Sequence, residues 1–379
     1  MSNKLQLPTF EELFSYENLV LCSETCLRGV RWKNSVQNFN LFMYNECAKI
    51  HEEIMDGTYR SKGFHVFKIN ERGKTRVIRS VHITERVVQK VLCQFYLRPL
   101  LERSLIYDNG ASLEGKGTHF AIKRFREHLR WHYARFGLEG GILIGDFHKY
   151  FDSIDHNRLY AMLEKKVTDP KILEMCKYFI GCFKGDVGLG LGSEISQICA
   201  IYYPNKMDHM VKEEFQIHGY ARYMDDFYVI CEDIEKLQSV YKAIIEISNE
   251  LGLELNLKRT QIFKFKDNPV FTFLKSKTTL SDNGKIVMRL VHSNVKNKRD
   301  KLRQQRKQLT EGLITFDYIL QSMRVWIGYA FQHKMSYETI QATINYFREL
   351  FYDEFMQSRY DEAYLEFIGY QIPFFRVAA

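Results

Sequence analysis

Apolar and polar positions alternate over Phe64-His65-Val66-Phe67-Lys68-Ile69 in the manner of a strand, Asn70-Glu71-Arg72-Gly73 is a turn, and Lys74-Thr75-Arg76-Val77-Ile78-Arg79 returns as the partner strand. The pattern predicts a β-hairpin. Gly141-Ile142-Leu143-Ile144-Gly145-Asp146-Phe147 is a continuous apolar run, the pattern of a strand buried on both faces, and it ends in an acid. Gly219 to Ile230 is a second apolar and aromatic stretch, interrupted by Asp225 and Asp226, and predicts a hairpin with two acids at its tip.

Elsewhere the pattern is helical. Thr9 and Glu12 fit a capping box, and apolar residues recur from about Ser35 to Met55, where Gly57 ends the run. Thr84 through about Leu101 reads as a helix, as do the stretch carrying Ile122, Phe125, Leu129 and Trp131, much of 157–182, and the stretch from Ile198 to Lys212. Residues from about Ile234 to Leu251 form an amphipathic helix. From Val295 a basic helix begins, and Ile319, Met323, Trp326 and Ile327 continue the helical pattern towards Phe351.

The acids supply the first chemical lead. Adjacent carboxylates repel and are costly to bury together, and divalent cations relieve that cost. Asp-Asp is also common in surface turns, but the strands flanking Asp225 and Asp226 are too apolar for a simple surface turn. One acid ending a strand (Asp146) and two on a neighbouring hairpin suit a two-metal phosphoryl-transfer site.

Composition narrows the partners. The chain has 379 residues, a formal net charge of +8 and 14% aromatic residues, which suits a polyanion with stacking bases and equally suits a well-packed core. The eight cysteines are scattered without a CxxC pair, so reduced thiols are expected. There is no membrane-length apolar run and no signal-peptide pattern, so a cytoplasmic location without a membrane partner is expected. Gly115-Lys116-Gly117-Thr118 lacks the spacing of a P-loop.

Asp146 with Phe151 five residues on, then Gly192-Ser193-Glu194-Ile195-Ser196-Gln197, then Tyr223-Met224-Asp225-Asp226 resemble the successive palm motifs of reverse transcriptases, in order and spacing, and the resemblance covers about residues 50 to 350. It implies an α+β right-hand polymerase fold: an N-terminal helical extension over 1–60, fingers and an antiparallel palm over 61–290, and a helical thumb over 291–379. It also implies RNA-templated DNA synthesis with two Mg²⁺ ions, Mn²⁺ being the alternative. Asp146, Asp225 and Asp226 would be the catalytic acids. The metal ligands would be Asp146, the Phe147 carbonyl and Asp225, with Asp226 in support. Lys258 would protonate the leaving pyrophosphate, ahead of Arg259, which stays charged.

By the same resemblance the deoxynucleotide would meet Lys74 and Arg76 of the fingers hairpin, an aromatic steric gate at Phe151, and Gly192 and Gln197 after the glycine-rich run from Gly185. Nucleic acid would meet Arg79 and Arg86 in the fingers, Lys275 where the family has a primer-grip glycine, and Lys298, Arg299, Arg303 and Arg306 along the thumb.

Ser196-Gln197 stands where most of the family has Ser-Pro, a departure seen in several prokaryotic groups. The residues after the palm show no acid set for RNase H and no Cys/His pairs for a zinc nuclease. A small prokaryotic enzyme copying a dedicated structured RNA into DNA is therefore expected, on the plan shared by retrons, diversity-generating retroelements and antiphage defence-associated reverse transcriptases, with antiphage defence favoured. The runner-up is the mutagenic enzyme of a diversity-generating retroelement. A non-catalytic RNA-binding scaffold and an RNA-dependent RNA polymerase are the remaining alternatives. An accessory protein or a second copy is a further candidate partner.

Overall fold

The computed structural model describes residues 6–71, 74–290, 293–332 and 335–357. The chain divides into two compact units, Met1–Pro269 and Val270–Ala379. Among the described residues no helix is long and apolar enough to cross a membrane.

The first unit opens with helices α1 (Phe10–Leu13), α2 (Tyr16–Cys26), α3 (Asn34–Leu41) and α4 (Met43–Met55). The capping box at α1 forms in both directions, Glu12 N–H donating to Thr9 Oγ1 at 3.3 Å and Thr9 N–H to Glu12 Oε2 at 2.9 Å. The periodicity over 35–55 predicts one helix, but Phe42, at φ −113° and ψ 23°, divides it into α3 and α4. Strands β1 (Phe64–Glu71) and β2 (Lys74–Val81) form the expected hairpin, Phe64 pairing with Val81. Helix α5 (Ile83–Leu92) continues through a π-helical turn at Cys93–Leu97 into α6 (Arg98–Glu102). Helix α7 (Thr118–Phe136) leads into strand β3 (Gly141–Asp146).

After β3 come α8 (His156–Glu164), α9 (Pro170–Gly181), α10 (Glu194–Tyr202) and α11 (Asn205–His209). The helix read from Ile198 to Lys212 is thus interrupted; the break falls at Pro204, whose ring cannot continue the backbone ladder. Strands β4 (Gly219–Tyr223) and β5 (Asp226–Cys231), helix α12 (Ile234–Glu250) and strand β6 (Gln261–Lys264) complete the unit. The central sheet runs β4-β5-β3-β6 and every neighbouring pair is antiparallel. One hydrophobic core joins the unit, from Leu13, Leu19 and Phe39 of the N-terminal helices through Val87 and Val91 of α5 to Leu143 and Val229 of the sheet. Burial of such side chains is what holds the sheet's rear face to the helices.

The second unit has an antiparallel sheet of β7 (Phe271–Phe273), β8 (Ser276–Leu280) and β9 (Ile286–Leu290). Helices α13 (Ser293–Thr310), α14 (Phe316–Gln332), α15 (Tyr337–Leu350) and α16 (Tyr352–Gln357) follow. They close on a core of Leu302, Ile319, Leu320, Met323, Ile327, Phe347 and Phe351.

Candidate active site

The central sheet brings the three acids together. Asp146, the last residue of β3, is the register partner of Asp226, the first of β5, and Gly145 pairs with Phe227. Gly145 is needed there: a Cβ would fall 2.1 Å from the Phe227 ring. Tyr223 pairs with Asp226, so Met224 and Asp225 form a two-residue hairpin turn. Met224 sits at φ +55°, where glycine is the usual occupant of such a turn. Strain of this kind persists only where surroundings enforce it. Here Arg222 donates from Nη1 to the Met224 carbonyl at 3.1 Å.

Arg222 is fully buried and paired in bidentate fashion with buried Asp208, Nε to Oδ1 at 2.8 Å and Nη2 to Oδ2 at 2.6 Å. Nη2 also donates to the Ile201 carbonyl at 2.7 Å, and the Tyr220 hydroxyl donates to Asp208 Oδ1 at 2.6 Å. The pair fastens the hairpin to α11 and to the end of α10.

Asp146 is buried, and its Oδ2 accepts from Asn256 Nδ2 at 2.9 Å and from Arg259 Nη1 at 3.1 Å. The loop bearing both residues is anchored on the strand end, since Asn256 N–H donates to the Asp146 carbonyl at 2.7 Å. Burial pushes the Asp225 carboxyl above its ordinary range and Asp146 adds to the push, while its own backbone, Arg76 and Arg259 oppose it. Asp226 is pushed up to about 8, by burial first and then by Asp225 and Asp146. Burial first, and the neighbouring carboxylates second, thus disfavour the charged forms of Asp225 and Asp226.

Among the described residues no three His, Cys, Asp or Glu side chains form a ready cage for a metal ion. The donor set nevertheless suits Mg²⁺, which takes hard oxygen ligands and is usually held by one or two carboxylates together with substrate phosphates. Phe147 N–H donates to the Asp225 carbonyl at 3.2 Å, so the backbone of the expected Phe147 ligand lies beside the hairpin turn.

The expected nucleotide side lies in the same unit. Arg76 is exposed, and its charge acts on the Asp225 carboxyl. The side chain of Lys74 lies outside the described part of the structure. Arg79 is half-buried; its N–H donates to the Leu191 carbonyl at 2.8 Å, joining β2 to the glycine-rich loop. Gly192 has φ +112°, and a Cβ there would lie 3.0 Å from the Arg79 carbonyl. Its glycine is thus required by backbone conformation and by close approach to β2.

Phe151 is half-buried beside Tyr150, ring centres 5.7 Å apart, and its carbonyl accepts from Leu189 N–H at 2.7 Å. Gln197 is exposed on α10. Arg86 is half-buried on α5, and its carbonyl accepts from the Cys26 thiol at 3.8 Å. Lys258 is exposed, and its carbonyl accepts from Gln261 at 3.4 Å. Of the two neighbours it is Arg259, not Lys258, that bonds Asp146. Asn256 and the Arg222–Asp208 pair were missed. The signal for Arg222 was an arginine inside an otherwise apolar strand.

In the second unit, Leu274 and Lys275 form the β7–β8 turn with φ +44° and +68°. Two positive φ values are the pattern of a type I′ turn, so the tight turn survives without glycine and presents Lys275 exposed at its tip. Lys298 departs from the expected phosphate-facing role: it is buried, and its Nζ donates to the Ser322 carbonyl at 3.0 Å and to Ser322 Oγ at 3.3 Å. The physical reason is helix periodicity, since it shares the inward stripe of Val295 and Leu302. Arg299 is half-buried over the Tyr346 ring, and Arg306 is engaged by Glu354 and Asp353. Arg303 is exposed, bonding the Tyr346 hydroxyl at 3.2 Å and Asp300.

The sequence model of the reverse transcriptase (RNA-dependent DNA polymerase) family matches residues 61–302. The chain is similar to Protein YkfC of Escherichia coli (strain K12), 20% identical over 278 residues that span 60% of this chain and 70% of that protein. Among solved structures it is similar to telomerase from Candida albicans in complex with a fragment of telomeric RNA, with TM-score 0.45 and 12% identity over 82% of this chain and 64% of the other. It is also similar to apo telomerase from Candida tropicalis, with TM-score 0.47 and 15% identity over 59% of this chain and 54% of the other. The chain thus spans less than two thirds of either telomerase chain. With the family's sequence matched across more than half of its length, and an antiparallel α+β core at the centre of the match, the chain belongs to the reverse transcriptase family.

Proposed function

We propose that this protein copies a dedicated, structured non-coding RNA into DNA by two-metal nucleotidyl transfer. The observation that carries this reading is the pairing of Asp146 with Asp226 across β3 and β5, with Asp225 in the adjoining turn. Asp146, Asp225 and the Phe147 carbonyl would hold divalent ions, Mg²⁺ or Mn²⁺, with Asp226 supporting the site electrostatically. Bound there, such ions supply neutralisation of the triphosphate and activation of the primer 3′-hydroxyl.

The chain's own residues do the rest. Arg76, with Lys74, takes the triphosphate of the incoming deoxynucleotide. Phe151 fills the space a 2′-hydroxyl needs, and Gly192 and Gln197 border the nascent pair. Lys258 is the proton donor to pyrophosphate, because an ammonium can give up a proton where a guanidinium cannot. Arg259 neutralises Asp146 until the site is charged with metal. Arg79, Arg86, Lys275, Arg299, Arg303 and Arg306 are candidates for phosphate contact.

The role we favour, on the N-terminal extension, Ser196-Gln197 and the want of a nuclease acid or Cys/His set after the palm, is antiphage defence in the prokaryotic cytoplasm; the mutagenic retroelement enzyme is the second reading. Both are tested by purifying the protein expressed from its native locus and sequencing the RNA and DNA that accompany it. One abundant structured RNA with complementary DNA supports dedicated templating. Mutation of that DNA opposite template adenines would favour the second role, and RNA without any DNA, even with deoxynucleotides and Mg²⁺ supplied, would favour a scaffold.

A further inference from the structure

From Thr25 to Asn45 the chain contains no acid, although Glu24 and Glu46 flank the stretch. The segment spans the end of α2, the connecting turns, α3 and the start of α4. Val36 and Phe39 turn inward and fix α3 to the core. The large aromatics do not follow: Trp32, Phe42 and Tyr44 are 73%, 57% and 60% exposed. Arg28 and Arg31 are exposed, and Lys33 Nζ lies 5.4 Å from the Trp32 ring centre. Between the aromatics, α3 presents the amides Asn34, Gln37, Asn38 and Asn40 to solvent. Its eight residues set Trp32 and Phe42 apart by about 12 Å along the axis.

Single exposed apolar residues are ordinary, but a group of rings within one acid-free, cationic segment is not. Rings offer stacking faces to unpaired bases, amides suit base edges, and arginine takes phosphate. The absence of acid across the whole stretch favours a polyanion over a protein partner. We propose that this face is a second RNA site, taking unpaired RNA by stacking bases on Trp32, Phe42 and Tyr44 and holding phosphates with Arg28, Arg31 and Lys33. Helices α2 and α3 pack on α5, the helix that follows the fingers hairpin, so the face belongs to the unit that carries the carboxylates. It lies before residue 61, outside the stretch the family's sequence matches. The proposal takes its setting from the RNA-templated reading above, and its test separates the two.

The full chain is titrated, without divalent ion or nucleotide, against an unstructured fluorescein-labelled oligouridylate, and binding is read by fluorescence anisotropy. Trp32→Ala with Phe42→Ala and Tyr44→Ala weakens binding roughly tenfold or more. Arg28→Ala with Arg31→Ala lowers the slope of log affinity against log salt by roughly 1.4. Unchanged affinity and slope in variants that melt like the parent would overturn the proposal. So would unchanged RNA affinity accompanied by loss of a wild-type dimer in sedimentation, which would assign the face to a second copy. Primer extension on the same preparations distinguishes the readings. Face-dependent binding without synthesis would overturn the polymerase and leave this site standing, and synthesis with face-independent binding would do the reverse.

Discussion

Arg222 and Asp208 form an ion pair with no solvent exposure on either side chain, closed by two hydrogen bonds of 2.8 and 2.6 Å. The same guanidinium reaches the Met224 carbonyl, so the pair holds the turn that presents Asp225. Arg222→Ala leaves a buried carboxylate unpaired and should cost about 3–5 kcal/mol of stability. Arg222→Lys keeps the charge but loses the planar fork. It should fold and lose primer extension more than RNA binding. Thermal melts alongside extension assays check both.

Arg259 bonds Asp146 Oδ2 at 3.1 Å yet is 59% exposed, so the contact is a weak one, and on the proposed two-metal reading it would compete with an ion at Asp146. Arg259→Ala should tighten Mn²⁺ binding to the nucleotide-free protein roughly two- to fivefold, the range of a solvent-screened pair. Titration followed by the Mn²⁺ paramagnetic signal measures this, and weaker binding would show that Arg259 supports the ion site rather than opposing it.

Phe151 is held between Tyr150 and the loop at Leu189, with part of its surface open. Phe151→Ala should admit ribonucleotides while leaving deoxynucleotide use largely intact. The ratio of kcat/KM for the two sugars is the readout, and an unchanged ratio removes the gate from the mechanism.

His128 Nε2 lies 3.0 Å from Arg124 Nη2, and Nδ1 lies 2.8 Å from the Tyr228 hydroxyl. Since arginine only donates, Nε2 must accept and the ring is neutral with its proton on Nδ1. Burial pushes its pKa down to about 3 against the pull of Asp108. Between that value and the ordinary histidine range the unfolded chain binds the extra proton, so stability rises with pH across this window and is lost as pH falls through it. His128→Phe should flatten that part of the stability–pH curve, as followed by denaturant midpoints between pH 4 and 7 on the order of the histidine range.

Much of the arrangement was legible in the sequence because strands announce themselves by local pattern. The run ending in Asp146, the hairpin holding Asp225 and Asp226, and the β1–β2 hairpin all stand where the local apolar pattern put them. What escaped depends on which way neighbouring side chains point. Lys258 and Arg259 are adjacent and both cationic, and only the fold of the loop after Leu255 brings the second to Asp146. Lys298 was readable in principle, since Val295, Lys298 and Leu302 share one helical stripe, but its charge outweighed its spacing. The Arg222–Asp208 pair joins a strand to a separate helix, and no local pattern encodes such a match.

The most direct test is primer extension on an RNA template with deoxynucleotides and Mg²⁺, comparing wild type with Asp225→Ala/Asp226→Ala. The account predicts templated DNA synthesis by the wild type and none by the double variant, with RNA binding retained in both. Synthesis that survives the loss of both carboxylates would contradict it.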